Sequence, residues 1–322
     1  MSQLSRRTVL AGAATIGAAT ISGAASTSSV KAAAPLSGKQ ASGFYRRKVG
    51  DIEVTHVYDG IWMFDHGPTF VRNAEFADVQ KALGEAFAPA GKVPIPFTPL
   101  VVNTGSKLVL IDTGTGARMS PLAGTYMDNL TASGVDPKAV DVIAISHFHG
   151  DHINGIRQKD ESLTFPNAEI WVPAPEWAFW MNDENMNKAP EAARGGFMNA
   201  RRVFKDLGER VKQFEPGKEI VPGVTSIAAP GHTPGHTAYV ISSGGQTMLT
   251  IVDATNIPAL FVRNPGWHAV FDSIPDVAEA TRRKLLDMAV TDKLLTTGYH
   301  WNFPGASYVV KEGSGYRLIS AA

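Results

Sequence analysis

Short apolar runs rich in β-branched residues alternate with longer amphipathic segments along most of the chain. Between residues 43 and 112 the runs come in pairs around short turns, one of them at Gly50-Asp51 and the other at 104–107, which predicts β-hairpins. Further along, segments with helical apolar spacing separate the runs, which predicts strands with interspersed helices. Strands are predicted at 44–49, 52–58, 98–103, 108–111, 142–145, 169–172, 224–229, 237–241, 247–252, 294–297, 307–311 and 316–319, and helices at 74–87, 121–132, 176–181, 197–212 and 275–290.

The densest chemistry in the chain lies in six residues that follow the predicted strand at 142–145. They read His147-Phe148-His149-Gly150-Asp151-His152 and contain four side chains that bind metals through nitrogen or oxygen. In an extended segment, residues two apart point to the same side, so His147 and His149 can hold one ion. A turn at Gly150 then directs Asp151 and His152 elsewhere, towards a second ion. This segment therefore predicts a metal centre.

Three further candidate ligands each follow a different predicted strand. His232 lies in the Gly/Pro-rich loop 230–236, Asp253 follows the strand at 247–252, and His300 follows the strand at 294–297. Because open sheets place their sites at strand ends, these side chains are expected to converge with the first four.

Two residues near the candidate ligands are interpreted as supports and not as ligands. Asp112 is expected to support a ligand or form a turn, and His236 to support its loop by hydrogen bonding.

The order of these motifs resembles that in the metallo-β-lactamase superfamily of dinuclear hydrolases. The motifs are the H-x-H-x-D-H block, the G-H-T-P-G-H loop at 231–236, Asp253 and His300. The resemblance covers the chain from about residue 43 to 320. It is greatest for the methyl parathion hydrolase-like branch, which is similar to this chain also at 50–55, 102–114, 187–190, 303–305 and 315–317.

That resemblance implies an α/β fold, the four-layer αβ/βα sandwich, built from two similar halves that meet near residue 195 with the metal site across their seam. It also implies two divalent metal ions. One is expected on His147, His149 and His232, the other on Asp151, His152 and His300, with Asp253 bridging both. Zinc is the first expectation, with manganese, cobalt or iron as alternatives. The chain holds no cysteine, so thiolate ligands are excluded and the ligands are nitrogen and oxygen.

The function that this resemblance implies is hydrolysis of lactones or carboxylic esters by a bridging hydroxide. Asp253 is the expected catalytic residue that orients the nucleophile and relays its proton, with Asp151 as a second catalytic candidate. The alternative is an organophosphate triesterase. A β-lactamase is a weaker alternative, because zinc β-lactamases generally lack an aspartate where Asp253 stands. A non-catalytic metal-binding protein of the same fold is the alternative from another class.

Four residues are expected to shape the substrate pocket. Trp180 and Phe197 match aromatic pocket positions of the methyl parathion hydrolase-like branch. Met119 stands where the branch has phenylalanine, and Asn256 where it has an apolar residue. Both differences favour a pocket that is less aromatic or more polar, and they place lactones and esters ahead of aryl phosphate triesters.

Composition and charge limit the partners. The formal net charge is +0 and no run of five basic residues occurs, so no electrostatic footprint for nucleic acid or for an anionic membrane is present. The expected partner is a small ester, lactone or organophosphate, and assembly into a homodimer is left open.

The first 34 residues resemble a twin-arginine export signal. Arg6 and Arg7 precede a weakly apolar Ala/Gly stretch and then small residues, with 30–32 as the preferred processing site. The expected organisation is a signal peptide at 1–34, a tail at 35–42 and one hydrolase domain at 43–322. A periplasmic or secreted location follows, with no stable membrane insertion after processing.

Overall fold

Two seven-stranded sheets form the centre of the fold in a computed structural model that describes residues 36–321. The first sheet has the strand order β1-β2-β5-β6-β7-β8-β9, and the second runs in sequence order from β10 to β16. The first sheet comprises β1 (Phe44–Val49), β2 (Ile52–Val57), β5 (Leu100–Asn103), β6 (Leu108–Ile111), β7 (Val142–Ala144), β8 (Glu169–Pro173) and β9 (Val211–Phe214). The second comprises β10 (Glu219–Val221), β11 (Val224–Ala228), β12 (Thr237–Ser243), β13 (Gln246–Val252), β14 (Leu295–Gly298), β15 (Ala306–Glu312) and β16 (Gly315–Ser320).

Helices cover the outer faces of both sheets and flank the ligand loops. The α-helices are α1 (Phe76–Glu85), α2 (Tyr126–Ala132), α3 (Gly150–Ile153), α4 (Ala174–Trp180), α5 (Asp183–Lys188), α6 (Glu191–Phe204) and α7 (Pro275–Thr291). Short 3₁₀ turns occupy Pro137–Ala139, Asn154–Ile156 and Gly208–Arg210, and a π-turn occupies Pro258–Val262.

Three apolar cores define four layers. The core between the sheets holds inward-facing residues of both, such as Val54, Val102 and Ile241. A second core packs α2, α4 and α6 on the outside of the first sheet, and a third packs α7 on the outside of the second. Helix, sheet, sheet and helix therefore follow one another, which confirms the expected four-layer sandwich.

A separate two-stranded hairpin lies outside both sheets. It pairs β3 (Gly60–Asp65) with β4 (Lys92–Phe97) in antiparallel register. The hairpin packs with α1 and the π-turn around a fourth apolar core that includes Phe70 and Phe261. This hairpin supplies one wall of the candidate site.

Several element predictions were wrong. The helix predicted at 197–212 is α6, which ends at Phe204 because Asp206 and Gly208 take positive φ values of 59° and 51°. Residues from Val211 then form the unpredicted strand β9. The halves meet not near residue 195 but between β9 and β10, at 215–218, where the chain passes from one sheet to the other.

The hairpin strands and β10 were also missed, and some elements begin later than expected. Strand β4 contains Pro94 and Pro96, which cannot donate backbone hydrogen bonds and normally argue against a strand. A two-stranded hairpin tolerates them, since each of its strands has an open edge. Helix α2 begins only at Tyr126, after Gly124 with φ 108°, and β5 begins at Leu100.

Residues 42–321 belong to one compact unit by their internal contacts. The signal peptide predicted at 1–34 lies outside the described residues. Within residues 36–321, none of the helices combines the length and the apolar character that a membrane crossing requires.

Candidate metal centre

The seven predicted ligands come from loops at the C-terminal ends of strands in both sheets. His147 and His149 follow β7, and the chain then turns into α3, which carries Asp151 and His152. The remaining three belong to the second sheet: His232 follows β11, Asp253 follows β13 and His300 follows β14. The centre therefore spans both sheets, which are tied together beside it by a hydrogen bond from Thr237 N to Ser146 O.

The backbone is strained where one ligand enters the centre. Val252 has φ 48°, a left-handed conformation that is unfavourable for a β-branched residue. This residue directly precedes Asp253, so the strain redirects the chain at the end of β13 and places the Asp253 carboxylate among the histidines.

The candidate ligand atoms form three overlapping groups. Within each group, the ligand atoms lie within 4.8 Å of one another. These groups are His147, His149 and His232; His147, His152 and Asp253; and Asp151, His152 and His300. The structure thus brings together all seven side chains singled out from the sequence. We call the first set, His147, His149 and His232, the first group, and the last set, Asp151, His152 and His300, the second group.

Asp253 contacts both groups. Its Oδ2 atom lies 3.3 Å from His232 Nε2 of the first group and 2.8 Å from His300 Nε2 of the second. Its Oδ1 atom lies 3.5 Å from His152 Nε2. A carboxylate in this position can serve two cations at once.

The donor set fits divalent cations. In the first group, His149 Nδ1 lies 3.0 Å from His147 Nε2 and 3.0 Å from His232 Nε2. Asp253 Oδ1 and His152 Nε2 are buried and lack a hydrogen-bond partner among the described residues. Buried polar atoms without partners are costly, and metal ions bound to these nitrogens and oxygens would satisfy them.

The pKa shifts point the same way. Burial and, to a smaller extent, the nearby His232 lower the pKa of His149 to about 3, so this imidazole is neutral and its lone pair is available. In the second group, burial alone would lower the pKa of His152, but Asp151 and Asp253 raise it well above its usual value. These carboxylates therefore favour positive charge beside them, which a metal ion provides.

Each histidine of the centre except His149 is held through its other ring nitrogen. His152 Nδ1 lies 2.8 Å from Asp112 Oδ2, and His232 Nδ1 lies 3.0 Å from Asp272 Oδ1. The corresponding partners are Ser146 Oγ for His147 and the Pro96 carbonyl for His300. Such contacts fix the ring orientation and tautomer of a metal ligand.

The supporting roles expected for Asp112 and His236 are confirmed. Asp112 takes a positive φ of 62° at its turn and also accepts hydrogen bonds from Ser146 N and Oγ. His236 contacts the Ala229 carbonyl through Nδ1 and accepts a hydrogen bond from Asp253 N. Asp272, in contrast, was missed, because it lies 40 residues from His232 with no motif around it.

A cavity of about 200 Å³ opens onto the centre. Met119 and Asn256, both expected from the sequence in the substrate pocket, line it together with Asp151, Asp253 and His300. The rest of the lining comprises the candidate ligands His149 and His232, Gly150, and the apolar side chains Trp62, Ile95, Phe97 and Phe271. The wall is therefore more aromatic than Met119 and Asn256 alone suggested.

The structure places Trp180 and Phe197 outside the lining of that cavity. Both are buried in the core on the outer side of the first sheet, with ring centroids 4.7 Å apart. Trp180 packs edge-on behind His149 at a centroid distance of 6.0 Å.

Comparison with known proteins agrees with this geometry. A family model described as the metallo-beta-lactamase superfamily matches residues 98–294. The chain therefore belongs to the metallo-β-lactamase superfamily.

Two solved structures share the fold closely. The "hydrolase AbOPH in beta lactamase superfamily" is 27% identical with a TM-score of 0.82, over 88% of this chain and 99% of that chain. The lactonase AidC, described as dizinc and quorum-quenching and bound to a product, is also 27% identical with a TM-score of 0.82, over 87% and 98% of the two chains.

Curated relatives match a smaller share of the chain. The "Probable metallo-hydrolase Rv2300c" of Mycobacterium tuberculosis is 28% identical over 48% of this chain, and the match spans only 55% of the length of that protein. The N-acyl homoserine lactonase AiiA of Bacillus thuringiensis subsp. kurstaki is 24% identical over 66% of this chain and 84% of its own length.

Proposed function

We propose that this chain is a dinuclear metal-dependent hydrolase that cleaves lactones or carboxylic esters. The observation that carries the proposal is the position of Asp253, whose carboxylate contacts histidines of both groups. Similarity to AidC and to AiiA supports a lactone as substrate. Zinc is the proposed metal, since the nitrogen and oxygen ligands suit it and AidC is described as a dizinc enzyme.

Two divalent ions, one held by the first group and one by the second, would lower the pKa of a bound water molecule and polarise the carbonyl or phosphoryl oxygen of the substrate. Carboxylate side chains of the protein would carry out the proton transfers. Asp253, with its side chain only 2% exposed, orients the attacking water and accepts its proton. Asp151 is the more accessible carboxylate at 11% and lines the cavity, so it is the second proton carrier. The apolar walls exclude bulk water and strengthen these interactions.

One observation favours a second candidate, hydrolysis of aryl phosphate triesters. Trp62, Phe97 and Phe271 surround the cavity and can stack against an aryl leaving group. This candidate would also agree with the proposed placement in the methyl parathion hydrolase-like branch. The polar amide of Asn256 in the same wall favours esters and lactones instead.

The test is a panel of kcat/KM values on zinc-loaded protein. The panel covers N-acyl homoserine lactones, simple lactones, aryl acetates, aryl phosphate triesters and β-lactams, each with and without a chelator. We expect lactones or esters to lead and the chelator to abolish turnover. A tenfold lead for triesters, about 1.4 kcal/mol in transition-state binding, would select the second candidate. No turnover of any substrate would contradict the proposal.

A further inference from the structure

Glu176 is a fully buried carboxylate that the proposed reaction does not use. It lies in the first turn of α4, and its exposed fraction is 0%. A buried carboxylate is expensive unless hydrogen bonds compensate it. Here four hydrogen-bond donors compensate the burial of this carboxylate.

The four donors come from α4 itself and from two ligand loops. Oε1 accepts hydrogen bonds from Phe148 N at 3.0 Å and from Trp180 Nε1 at 2.6 Å. Oε2 accepts from Thr233 Oγ1 at 2.9 Å and from Gly235 N at 2.8 Å. Phe148 lies between His147 and His149, and Thr233 follows His232. One carboxylate therefore connects the two loops that carry all three histidines of the first group.

The approach of the second loop to α4 is very close. A Cβ atom at Gly235 would lie 2.1 Å from Glu176 N, a distance that real Cβ atoms do not reach. Trp180, whose indole donates to the same carboxylate, lies directly behind His149. The two loops and α4 thus form one rigid assembly behind the first group.

The second group is held by other residues. His152 relies on Asp112, and His300 relies on the Pro96 carbonyl. Glu176 makes no hydrogen bond to either of these histidines or to the residues adjacent to them among the described contacts. The effect of Glu176 on metal affinity is therefore expected to differ between the two groups.

We infer that Glu176 is a positioning residue that sets the metal affinity of the first group and leaves that of the second group almost unchanged. This inference rests on the proposed dinuclear centre. In Glu176→Gln, the amide nitrogen cannot accept, so one pair of donors loses its acceptor and the loops separate. Loss of a contact that orients metal ligands typically costs 10–100-fold in metal affinity, and that loss is expected for one of the two metal ions.

The matched control is Asp59→Asn. Asp59 is also 0% exposed, and its carboxylate also accepts four hydrogen bonds, from Thr115 N, Thr115 Oγ1, Gly124 N and Tyr126 N. None of those donors belongs to a loop that carries a proposed metal ligand. A general loss of stability should therefore appear in both variants, and a selective loss of metal affinity only in Glu176→Gln.

The experiment is a competition titration of metal-free protein with Zn²⁺ against a chromophoric chelator, which yields two stepwise constants. In Glu176→Gln we expect one constant to weaken 10–100-fold and the other to change by less than about threefold, the measurement scatter we allow between variants (roughly 0.6 kcal/mol). In Asp59→Asn both constants should stay within that range. The same titration in a His300→Ala background, which keeps the first group, should reproduce the loss, and a His232→Ala background should remove it.

Equal weakening of both constants, or the same effect in Asp59→Asn, would overturn the inference. If Glu176→Gln does not fold, Thr233→Val removes one of the four hydrogen bonds and should weaken the same constant by a smaller factor. Unchanged constants in Thr233→Val would then count against the inference. Wild-type protein that binds fewer than two zinc ions would refute the dinuclear proposal itself, which is a different result.

Discussion

Arg282 and Asp272 form a buried ion pair in which Nη2 and Oδ2 lie 2.9 Å apart, with both side chains no more than 2% exposed. The other carboxylate oxygen of Asp272 holds His232. Arg282 also donates to the carbonyls of Ala254, Pro265 and Trp267. This arginine therefore joins α7 to the loop after Asp253 and, through Asp272, to the first group.

Arg282→Met is expected to lower the free energy of unfolding of metal-free protein by about 3–5 kcal/mol, because it leaves the Asp272 carboxylate buried without its partner. Urea unfolding measures this change. The control is Arg283→Met, which breaks a pair with Glu279 that is 41% exposed on the arginine side. Exposed pairs contribute about 0–1 kcal/mol, and similar losses in both variants would contradict the prediction.

His300→Ala should reduce the metal content of purified protein from about two ions per chain to about one, since it removes a ligand of the second group only. Elemental analysis gives the content. His268→Ala is the control, because His268 pairs with Glu279 and belongs to none of the three groups. Unchanged content in His300→Ala would show that the second group does not hold a metal.

Asn256→Leu should lower kcat/KM about tenfold, or about 1.4 kcal/mol, for lactones that carry an N–H beside the scissile carbonyl. Asn256 is 4% exposed, its Oδ1 lacks a partner, and apart from the proposed ligands it is the only polar side chain among the described residues that line the cavity. A substrate donor can satisfy that oxygen. Lactones without the N–H should lose less, and Met119→Leu, in the same wall, should preserve the difference between them. An equal loss of kcat/KM for both kinds of lactone would exclude a role of Asn256 in accepting a hydrogen bond from the substrate.

We propose that residues 1–34 direct export through the twin-arginine route to the periplasm or medium. Replacement of Arg6 and Arg7 by lysine should leave the precursor in the cytoplasm, since lysine lacks the planar guanidinium group. Immunoblots of cell fractions measure the distribution, and Lys31→Arg serves as a control in the same segment. Undiminished export of the double variant would refute the proposal.

The seven candidate ligands could be singled out from the sequence because their signal is local or periodic. Four of them lie within six residues, and the other three each follow a strand, so position at a strand end identified them without knowledge of the tertiary structure. The residues that hold these ligands in place show no local or periodic pattern in the sequence. Glu176 and Asp272 contact the centre only after distant segments come together, and an isolated acidic residue before or within a helix is common in any sequence.

The cavity wall was predicted least well. Trp62 and Phe97 belong to the hairpin of β3 and β4, where two prolines obscure the strand pattern. Trp180 and Phe197 were inferred as pocket residues from resemblance, and the structure places them in a core instead. Aromatic side chains suit both settings, so residue type alone could not decide between them.

The hairpin of β3 and β4 makes backbone pairs with neither large sheet, while every proposed ligand lies in a loop, or in the short helix α3, after a strand of those sheets. Substitutions at Trp62 or Ile95 are therefore expected to alter the cavity without moving the strands that precede the ligands. Pro96 and Phe97 differ from them, because the Pro96 carbonyl holds His300 and the Phe97 ring packs against that histidine. A library randomised only at Trp62 and Ile95 should yield variants with new substrate preferences that keep the metal content of the wild-type protein, a practical starting point for directed evolution.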